Sequence, residues 1–306
     1  MRFIGIDTSN YTTSIACFDG KEGINCSGIL PVKQGALGLR QSDAVFAHIK
    51  SLPELCGRLF SHVEKDLVSA IGVSTRPRAL EGSYMPCFMV GYSHGKLLSD
   101  TLGVPLVEVS HQQGHVAATL WSAGRMDLLD TPHLAWHLSG GTTELLLVEP
   151  EGKNVKCTCI GGTTDISAGQ LIDRTGQLLQ LPFPSGKYLD ALSRETDEVS
   201  YFPVKCNGLS FSLSGVENKV NQFHQAAKDD AATAAYALRS VCMAVGSVTH
   251  KALREYPGLE VVFSGGVASN TMLRQCVSDL KPVFAKPEYS TDNAMGVAVL
   301  TSRLWR

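Results

Sequence analysis

Two histidines four residues apart are the first chemically suggestive feature, in the stretch VSHQQGH, residues 109–115. On a helix, His111 and His115 would lie on one face, about one turn apart, so both imidazoles could reach one metal ion. Ser110 is a suitable N-cap for that helix. Because two histidines need at least one further ligand, two surface or capping histidines remain the alternative. The H-E-x-x-H protease motif is not matched, since Gln112 stands where that motif needs a glutamate base.

A third ligand of suitable chemistry lies near the C-terminus, in the stretch STDNAMGVAVLTSRLW. This stretch predicts a helix over 291–306 with Asp292 in its first turn, where a carboxylate favours the helix dipole. The same carboxylate could instead be an oxygen ligand to a metal ion. Two histidines and one aspartate would leave the ion open to a substrate, which suits a Lewis acid.

Two glycine-rich turns have the composition of anion-binding sites. In LEVVFSGG, residues 259–266, a strand runs through glycines into a helix, whose first N–H groups are free for an anion. Asn270, predicted one turn into that helix, could hydrogen-bond a ribose or a purine. In HLSGGTTE, residues 137–144, Gly140 and Gly141 expose backbone N–H groups beside several hydroxyls. Each turn could also be a plain turn, so only their combination favours nucleotide binding.

Two further carboxylates could hold the hydroxyls of a ribose or a substrate. Asp173 lies in an amphipathic helix predicted over 167–181, and Asp190 follows the loop that contains Gly186. For either residue alone, a solvated surface aspartate is the alternative.

The elements that must position these residues alternate between strands and helices, which indicates an α/β protein. Residues 2–20 and 133–152 each read as two apolar strands around a hydroxyl-rich loop, followed by a glycine turn. Two such hairpins indicate a duplicated architecture, with a chance likeness as the alternative. A helix over 42–62 is predicted to be interrupted near Pro53, and a long one covers 229–256.

Composition narrows the class of protein further. With 306 residues, 44% of them hydrophobic and 18% charged, the chain is typical of a globular protein of two domains. We expect a cytoplasmic protein, because the N-terminus lacks the pattern of a signal peptide and no apolar run is long enough for a membrane span. The nine cysteines read as reduced thiols. A net charge of −2 gives no overall attraction to nucleic acid, so RNA binding would need a basic patch or a partner.

Seven segments, in order along almost the whole chain, resemble motifs of the tRNA threonylcarbamoyl-transferase family (TsaD-like proteins, formerly called O-sialoglycoprotein endopeptidases). They are GIDTSNYTTS, HQQGH, LSGGTTELLLV, AGQLIDRTGQLLQLPFPSG, GLSFSLSGVENKV, FSGGVASN and STDNAMGVAV. The resemblance implies an α/β, duplicated actin-like ATPase fold of the RNase H-like kind, with two lobes around a cleft. The first lobe is predicted over 1–108, completed by the C-terminal helix 291–306, and the second over 109–290.

The resemblance also implies ligands and site residues. His111, His115 and Asp292 fall on the family's ligands for one divalent metal ion, iron or zinc. The bound nucleotide would be an adenine nucleotide or threonylcarbamoyl-adenylate. Its predicted contacts are His137, Leu138, Ser139, Gly140, Gly141, Asp173, Gly186, Asp190 and Asn270.

In the reaction that the resemblance implies, the threonylcarbamoyl group passes from its adenylate to N6 of an adenine beside the tRNA anticodon. The chain would be an N6-threonylcarbamoyladenine synthase-type acyltransferase acting on tRNA. Its implied partners are a related pseudo-ATPase paralogue and a small ATPase subunit, with no membrane involved. The sequence nominates no general base.

Several residues depart from the family pattern. Tyr11 and Thr12 replace an acidic pair, and Gln113 replaces a glutamate between the histidines. Arg76 and Arg78 stand in a segment that is glycine-rich in the family. These departures favour, as the alternative, a diverged non-catalytic paralogue that binds nucleotide as a scaffold or regulator, although such a scaffold has no evident need for the metal ligands.

A third hypothesis is a sugar or acetate kinase-like enzyme on the same fold. That chemistry calls for a carboxylate near a small acceptor, and Asp7 is the only candidate in the first hairpin. The endopeptidase name has no support from these residues.

Overall fold

The computed structural model describes residues 1–9, 11–31 and 39–305, which form two compact units. Unit 1 comprises Met1–Pro132, Val148–Cys157 and Asp292–Arg306. Unit 2 comprises His133–Leu147 and Thr158–Thr291.

Unit 1 is built on a five-stranded sheet in the order β3-β2-β1-β4-β5. Its strands are β1 (Arg2–Thr8), β2 (Thr12–Phe18), β3 (Gly23–Ile29), β4 (Val68–Arg76) and β5 (Leu106–Ser110). The first three strands are antiparallel, whereas β4 and β5 run parallel to β1. Every residue of β2 is buried, as expected for a strand that is covered on both faces.

The described residues of unit 1 also form α-helices. They are α1 (Gln41–Phe60), α2 (Phe88–Leu102), α3 (His111–Ser122) and, at the C-terminus, α9 (Met295–Leu304). The predicted interruption of α1 near Pro53 is wrong, because the helix continues through this residue. Leu52 and Leu55, on either side of the proline, are buried, and this packing offsets the lost backbone hydrogen bond.

The second sheet has seven strands in the order β12-β11-β6-β7-β8-β10-β9. Its strands are β6 (His133–Leu138), β7 (Thr143–Glu151), β8 (Asn154–Thr163), β9 (Cys206–Asn207), β10 (Ser210–Phe211), β11 (Val261–Ser264) and β12 (Val283–Phe284). Most of this sheet belongs to unit 2, whereas Val148–Cys157, at the end of β7 and the start of β8, belongs to unit 1. The run β8-β7-β6-β11-β12 repeats the order of the sheet in unit 1, and β11 and β12 are parallel as β4 and β5 are. The predicted duplication is therefore present in the topology.

The helices of unit 2 are α4 (Ala168–Leu178), α5 (Gly186–Leu192), α6 (Ser214–Ala227), α7 (Asp230–Glu255) and α8 (Thr271–Cys276). Helix α7 is long and apolar enough to cross a membrane. However, 72% of its most apolar 18-residue stretch is buried, as in the core helix of a globular protein. Asn270 is the N-cap of α8, whereas it was predicted one turn inside. The error arises because a short 3₁₀ turn, Gly266–Ser269, separates the glycines from the helix.

The predicted lobe boundary at residue 108 differs from the limits of unit 1, which also contains residues 109–132. The physical reason is the packing of α3 on α9. A Cβ on Gly296 would overlap the carbonyl oxygen of Gly114 and lie 2.7 Å from the nitrogen of Ala118. Only a glycine allows the two helix backbones to approach so closely.

Candidate functional site

Helix α3 starts directly at the first histidine of the predicted pair. The hydroxyl of Ser110 accepts a hydrogen bond from the backbone N–H of Gln113, whose side chain accepts one from the N–H of Ser110 at 2.8 Å. This capping box confirms Ser110 as the N-cap. Gln113 also donates to the carbonyl oxygen of Val155 at 2.7 Å. The glutamine at this departure from the family pattern therefore stabilises the helix start.

The structure brings the three predicted metal ligands together in unit 1. The Nε2 atoms of His111 and His115 are 3.0 Å apart. Asp292 Oδ1 lies 3.0 Å from Nε2 of His115 and 3.6 Å from Nε2 of His111. Asp292 lies in the bend before α9, not in its first turn as predicted, because the helix begins at Met295.

These distances fit one shared metal ion. Two ligands of a tetrahedral ion at metal–nitrogen distances near 2.0–2.1 Å are about 3.3 Å apart, and those of an octahedral ion about 3.0 Å. The three distances in the protein span the same range, 3.0 to 3.6 Å. The donor set, two imidazoles and one carboxylate, is one that both zinc and iron accept. The residues therefore fit the predicted ion, and they leave part of its coordination sphere for another group.

Asp7 supports this cluster from the neighbouring strand β1. Its Oδ1 lies 2.9 Å from Nδ1 of His111 and accepts a hydrogen bond from Ser74 at 2.5 Å. With its proton on Nδ1, the His111 ring presents Nε2 as the free ligand atom. Asp7 is 1% exposed and points at His111, so its geometry favours a positioning role over the kinase-like role considered from the sequence. The carboxylate of Asp292 is held by Ser9, whose hydroxyl donates to Asp292 Oδ2 at 2.8 Å.

Charge at the cluster suits a cation. Burial by itself would lower the pKa of His111, but the charges and hydrogen bonds of Asp7 and Asp292 raise it to about 10. Burial would likewise raise the pKa of Asp292, but hydrogen bonds from His111 and His115 hold it well below its ordinary value. Without a cation, the cluster is an imidazolium between carboxylates, and a metal ion would replace the proton.

We expect Asp7→Asn to weaken metal binding about 10–100-fold, the usual effect of losing a supporting carboxylate behind a ligating histidine. The asparagine keeps the size of the side chain but not its charge. The dissociation constant can be measured by competition with a chelating dye. Asp19→Asn, at a carboxylate on the exposed turn after β2, is the matched control and should leave it unchanged. Equal affinities of wild type and Asp7→Asn would show that Asp7 does not support the ion.

His48 on α1 connects the first hairpin to this cluster. It is fully buried, with Nε2 2.7 Å from the carbonyl oxygen of Ser9 and Nδ1 2.8 Å from the hydroxyl of Thr13. Burial lowers the pKa of His48, against smaller opposing effects of Ser9 and Asp7. His48 is therefore held neutral, and it fixes the backbone at Ser9, whose side chain binds Asp292.

This depressed pKa predicts acid sensitivity. The unfolded chain takes up a proton at His48 below its ordinary pKa of 6.5, whereas the folded protein does so only at lower pH. The free energy of unfolding should therefore fall as the pH drops below 6.5, by up to about 1.4 kcal/mol per pH unit from this group. Urea unfolding between pH 7.5 and 5.5 should show that the free energy of unfolding of His48→Gln depends less on pH than that of the wild type. His62→Gln, at an exposed histidine, should keep the pH dependence of the wild type. If the free energy of unfolding of His48→Gln depends on pH as strongly as that of the wild type, His48 is not the source of the acid sensitivity.

The departures in the first hairpin lie where β2 begins. Tyr11 is 37% exposed and Thr12 is buried at the first position of the strand. Neither side chain carries a carboxylate that could replace an acidic pair. In the other departing segment, the backbone N–H of Arg78 donates to the hydroxyl of Ser83 at 3.0 Å, within a loop after β4.

In unit 2, the two glycine-rich turns lie side by side at the ends of β6 and β11. Gly265, with φ of +89°, lies so close to the carbonyl group of Leu138 that a Cβ would overlap its oxygen. Behind this contact, the hydroxyl of Ser264 lies 3.4 Å from Nδ1 of His137. His137 and Leu138, two of the predicted nucleotide contacts, are therefore packed against the glycine-rich turn that follows β11.

The turn after β6 is closed by Ser139. Its N–H donates to the carbonyl oxygen of Thr142 at 2.8 Å, and its hydroxyl accepts from the N–H of Thr142 at 3.1 Å. Gly140 and Gly141 are exposed, and a Cβ on either would meet nothing within 4 Å. Their backbones are therefore open to a bound group.

The first turn of α4 packs directly against this loop. Ser167 caps the helix and donates to the carbonyl oxygen of Gly140 at 2.7 Å. A Cβ on Gly169 would lie 2.5 Å from Cα of Gly140. The exposed turn and the positive end of a helix dipole consequently adjoin, an arrangement that favours an anion such as phosphate.

The remaining predicted contacts form hydrogen bonds within unit 2. Asp173 Oδ1 accepts from the N–H of Ser185 at 2.8 Å, just before Gly186 begins α5, and burial raises the pKa of Asp173. Asp190 accepts from Asn270 Nδ2 at 2.8 Å, and from the N–H and hydroxyl of Thr271 at 3.0 and 2.9 Å. The structure thus joins Asp190 and Asn270 directly, and both hold the start of α8. That either contacts a ligand stays a prediction.

The fold and the site together define the class of protein: an actin-like ATPase fold, with a His-His-Asp cluster in one unit and glycine-rich turns at a helix start in the other. Solved structures agree on the fold. HypF from T. kodakarensis is similar with a TM-score of 0.63 and 12% identity, over 99% of this chain and 48% of that one. The (R)-2-hydroxyglutaryl-CoA dehydratase component A of Acidaminococcus fermentans is similar with a TM-score of 0.57 and 16% identity, over 99% of both chains.

Sequence comparison identifies the family within this class. The family described as tRNA N6-adenosine threonylcarbamoyltransferase (TsaD) matches residues 36–299. A protein of that name from Christiangramia forsetii is 32% identical over 256 residues, which cover 78% of this chain and 73% of the relative. The chain therefore belongs to the TsaD family.

Proposed function

We propose that this chain transfers the threonylcarbamoyl group from threonylcarbamoyl-adenylate to N6 of an adenine beside the anticodon of tRNA. Membership of the TsaD family supports the reaction class. The observation that carries the proposal is the complete His-His-Asp cluster, with ligand atoms 3.0 to 3.6 Å apart and a buried carboxylate behind one imidazole.

In this reaction, the N6 amine attacks the carbonyl carbon of the threonylcarbamoyl group. The new C–N bond forms, the C–O bond to the phosphate breaks, AMP leaves and the amine loses one proton. A bound divalent ion, iron or zinc, would polarise and orient the carbonyl group. His111, His115 and Asp292 would hold that ion, and Asp7 would keep the tautomer of His111 that can bind it.

The residues of unit 2 are proposed to bind the adenylate. The backbone of Gly140 and Gly141, beside the positive end of the α4 dipole, suits its phosphate. Asp173, whose Oδ1 accepts one hydrogen bond from the chain, suits a ribose hydroxyl. Asp190 and Asn270 add to the site by fixing the start of α8 beside the second glycine turn.

The proposal includes tRNA as the substrate. It also includes two protein partners, a related pseudo-ATPase paralogue and a small ATPase subunit. The net charge of −2 makes such partners a reasonable source of the positive surface that tRNA needs.

Complementation tests this function in cells. The chain is expressed in bacteria depleted of their own TsaD-family enzyme, and threonylcarbamoyladenosine in bulk tRNA is measured by mass spectrometry. The wild type should restore the modified nucleoside, and the His111→Ala, His115→Ala double variant should not. The Christiangramia forsetii relative, expressed in the same strain, is the positive control. If only that relative restores the nucleoside, the proposed activity is refuted.

A second candidate function is a nucleotide-binding scaffold without transfer activity. The observation that favours it is the start of β2, where Tyr11 and Thr12 provide no carboxylate. A scaffold predicts nucleotide binding that does not depend on the histidines. The transferase predicts instead that metal binding and nucleoside formation are lost together in the double variant.

A further inference from the structure

The segment from the last residue of β4 to the start of α2, residues 76–87 of unit 1, lies beside the predicted metal ligands. Near its start, the carbonyl oxygen of Pro77 accepts a hydrogen bond at 3.0 Å from the N–H of Gln112, the residue after His111. Directly after its end, the ring of Phe88 packs on the ring of His111, with 5.8 Å between the ring centroids. Both ends of the segment are therefore attached to the start of α3.

Hydrogen bonds fix the backbone of this segment. The N–H of Arg78 donates to the hydroxyl of Ser83 at 3.0 Å, and the N–H of Ser83 donates to the carbonyl oxygen of Leu80 at 3.2 Å. At the other end, the hydroxyl of Thr8 donates to the carbonyl oxygen of Cys87 at 2.9 Å. Because the segment is already ordered, it loses little conformational entropy when it binds a partner.

Side chains suited to RNA are exposed on the same segment. Arg76 is exposed, and its guanidinium forms no ion pair with any residue that the structure describes. Tyr84 and Leu80 are 64% and 59% exposed. Arg78 adds a second positive charge, and Glu81 is the only acidic residue of the segment, so its net charge is positive. Arginine binds phosphate oxygens, and an exposed aromatic ring can stack on an unpaired base.

We propose, on the basis of the proposed function, that residues 76–87 bind the single-stranded RNA around the acceptor adenine. Arg76 contacts a phosphate, and Tyr84 stacks on a base next to the acceptor. The proposed reaction brings the N6 amine of that adenine to the metal cluster. Since nucleotides of a stacked strand follow each other about every 3.4 Å, those on either side of the acceptor lie close to whatever surrounds the cluster. The positive segment at the start of α3 is such a surface.

The phosphate of a small nucleotide is the other anion that Arg76 could bind. Two observations favour RNA. The exposed turn at Gly140 and Gly141, beside the positive end of a helix dipole, already suits the phosphate of the adenylate and lies in unit 2. In addition, exposed apolar side chains accompany Arg76, as in sites where protein stacks on successive bases of a single strand.

The first experiment measures RNA binding by the metal-loaded, full-length protein. The probe is a fluorescent RNA hairpin with the sequence of a tRNA anticodon arm, which has an adenine beside the anticodon, and anisotropy gives the dissociation constant. Arg76→Gln removes one phosphate contact, so the slope of log affinity against log salt should fall by about 0.7. The advantage of the wild type over this variant should consequently shrink about two- to threefold between about 50 and about 200 mM salt.

Arg58→Gln is the matched control. Arg58 is also an exposed arginine of unit 1, in the last turn of α1. Its neighbours Gly57 and Phe60 line a cavity together with Leu102, at the C-terminal end of α2. Since α2 has 15 residues and is about 22 Å long, this arginine lies far from the segment that precedes α2. Its substitution should leave the affinity for RNA and the salt dependence unchanged.

The predicted stacking is tested separately at Tyr84. Tyr84→Leu keeps an apolar side chain but removes the ring, and it should weaken RNA binding about fivefold or more. Tyr84→Phe keeps the ring and should retain the affinity of the wild type. Because the side chain is largely exposed, neither change removes a buried contact.

Photocross-linking of the wild type requires no variant to fold. The probe carries a thiouridine next to the acceptor adenine, and peptide mass spectrometry should locate the cross-link within residues 76–87. The proposal is overturned if the wild type does not bind the hairpin at low salt, or if cross-links form only outside this segment. It is also overturned if Arg76→Gln weakens binding of AMP and leaves that of the RNA unchanged.

The outcomes for this surface and for the proposed reaction are distinguishable. Transfer of the threonylcarbamoyl group together with RNA binding that depends on neither Arg76 nor Tyr84 refutes the RNA surface alone. RNA binding that depends on both residues, in a protein without transfer activity, refutes the reaction alone.

Discussion

Purified protein in which both His111 and His115 are replaced with alanine should contain no stoichiometric zinc or iron. The double variant removes two of three ligands and leaves Asp292 as a single carboxylate. The loss should exceed the about 10–100-fold expected for a supporting residue such as Asp7. Metal content by elemental analysis, before and after dialysis against a weak chelator, measures the effect.

The matched control for this variant is His250→Ala. His250 also faces a carboxylate, with Nε2 3.0 Å from Asp279 Oδ2, but this pair lies on the surface of unit 2 and is not part of the His-His-Asp cluster. Its removal should leave the metal content unchanged. Equal metal content in the wild type and the double variant would place any bound ion elsewhere.

Gly296→Ala should destabilise the protein by about 3 kcal/mol or more, at the upper end of the effects of overpacking. The new methyl group would overlap the backbone of α3 at Gly114, and a rigid helix cannot move aside as a flexible side chain can. A shift of α9 would also displace Asp292, four residues before the glycine, and weaken metal binding. Urea unfolding and metal titration of the same preparation measure both effects.

Gly57→Ala is the control for this substitution. Gly57 is exposed on α1, and a Cβ there would meet nothing within 4 Å. Since alanine is the better helix former, this change should stabilise the protein by up to about 1 kcal/mol. A Gly296→Ala protein as stable as the wild type would mean that α3 and α9 separate easily, contrary to the packing described above.

The features predicted well from the sequence are local ones. The spacing of His111 and His115 and the capping role of Ser110 depend only on helical geometry over a few residues, and all are present in α3. Boundaries were less accurate. Asn270 and Asp292 each lie just outside the helix to which they were assigned, because a 3₁₀ turn and a bend precede those helices.

The supporting residues of the cluster could not be predicted in the same way. Asp7 meets His111 across 104 residues of chain, and Ser9 meets Asp292 across 283. The only local sign of these supporting residues was the run of three polar residues Asp7, Thr8 and Ser9 at the end of an otherwise apolar strand. Likewise, the sequence predicts that Gly296 lies in a helix, but nothing in the sequence shows that it packs two helix backbones together.

Direct transfer with purified components tests the central claim most closely. The metal-loaded protein, with the pseudo-ATPase paralogue and small ATPase subunit proposed as its partners, is supplied with threonylcarbamoyl-adenylate labelled in threonine and with unmodified tRNA. The account predicts label at the adenine beside the anticodon with the wild type, and none with the His111→Ala, His115→Ala variant. If the relative labels the tRNA while this protein, loaded with metal and nucleotide, does not, the chain is not a transferase and the scaffold function takes its place.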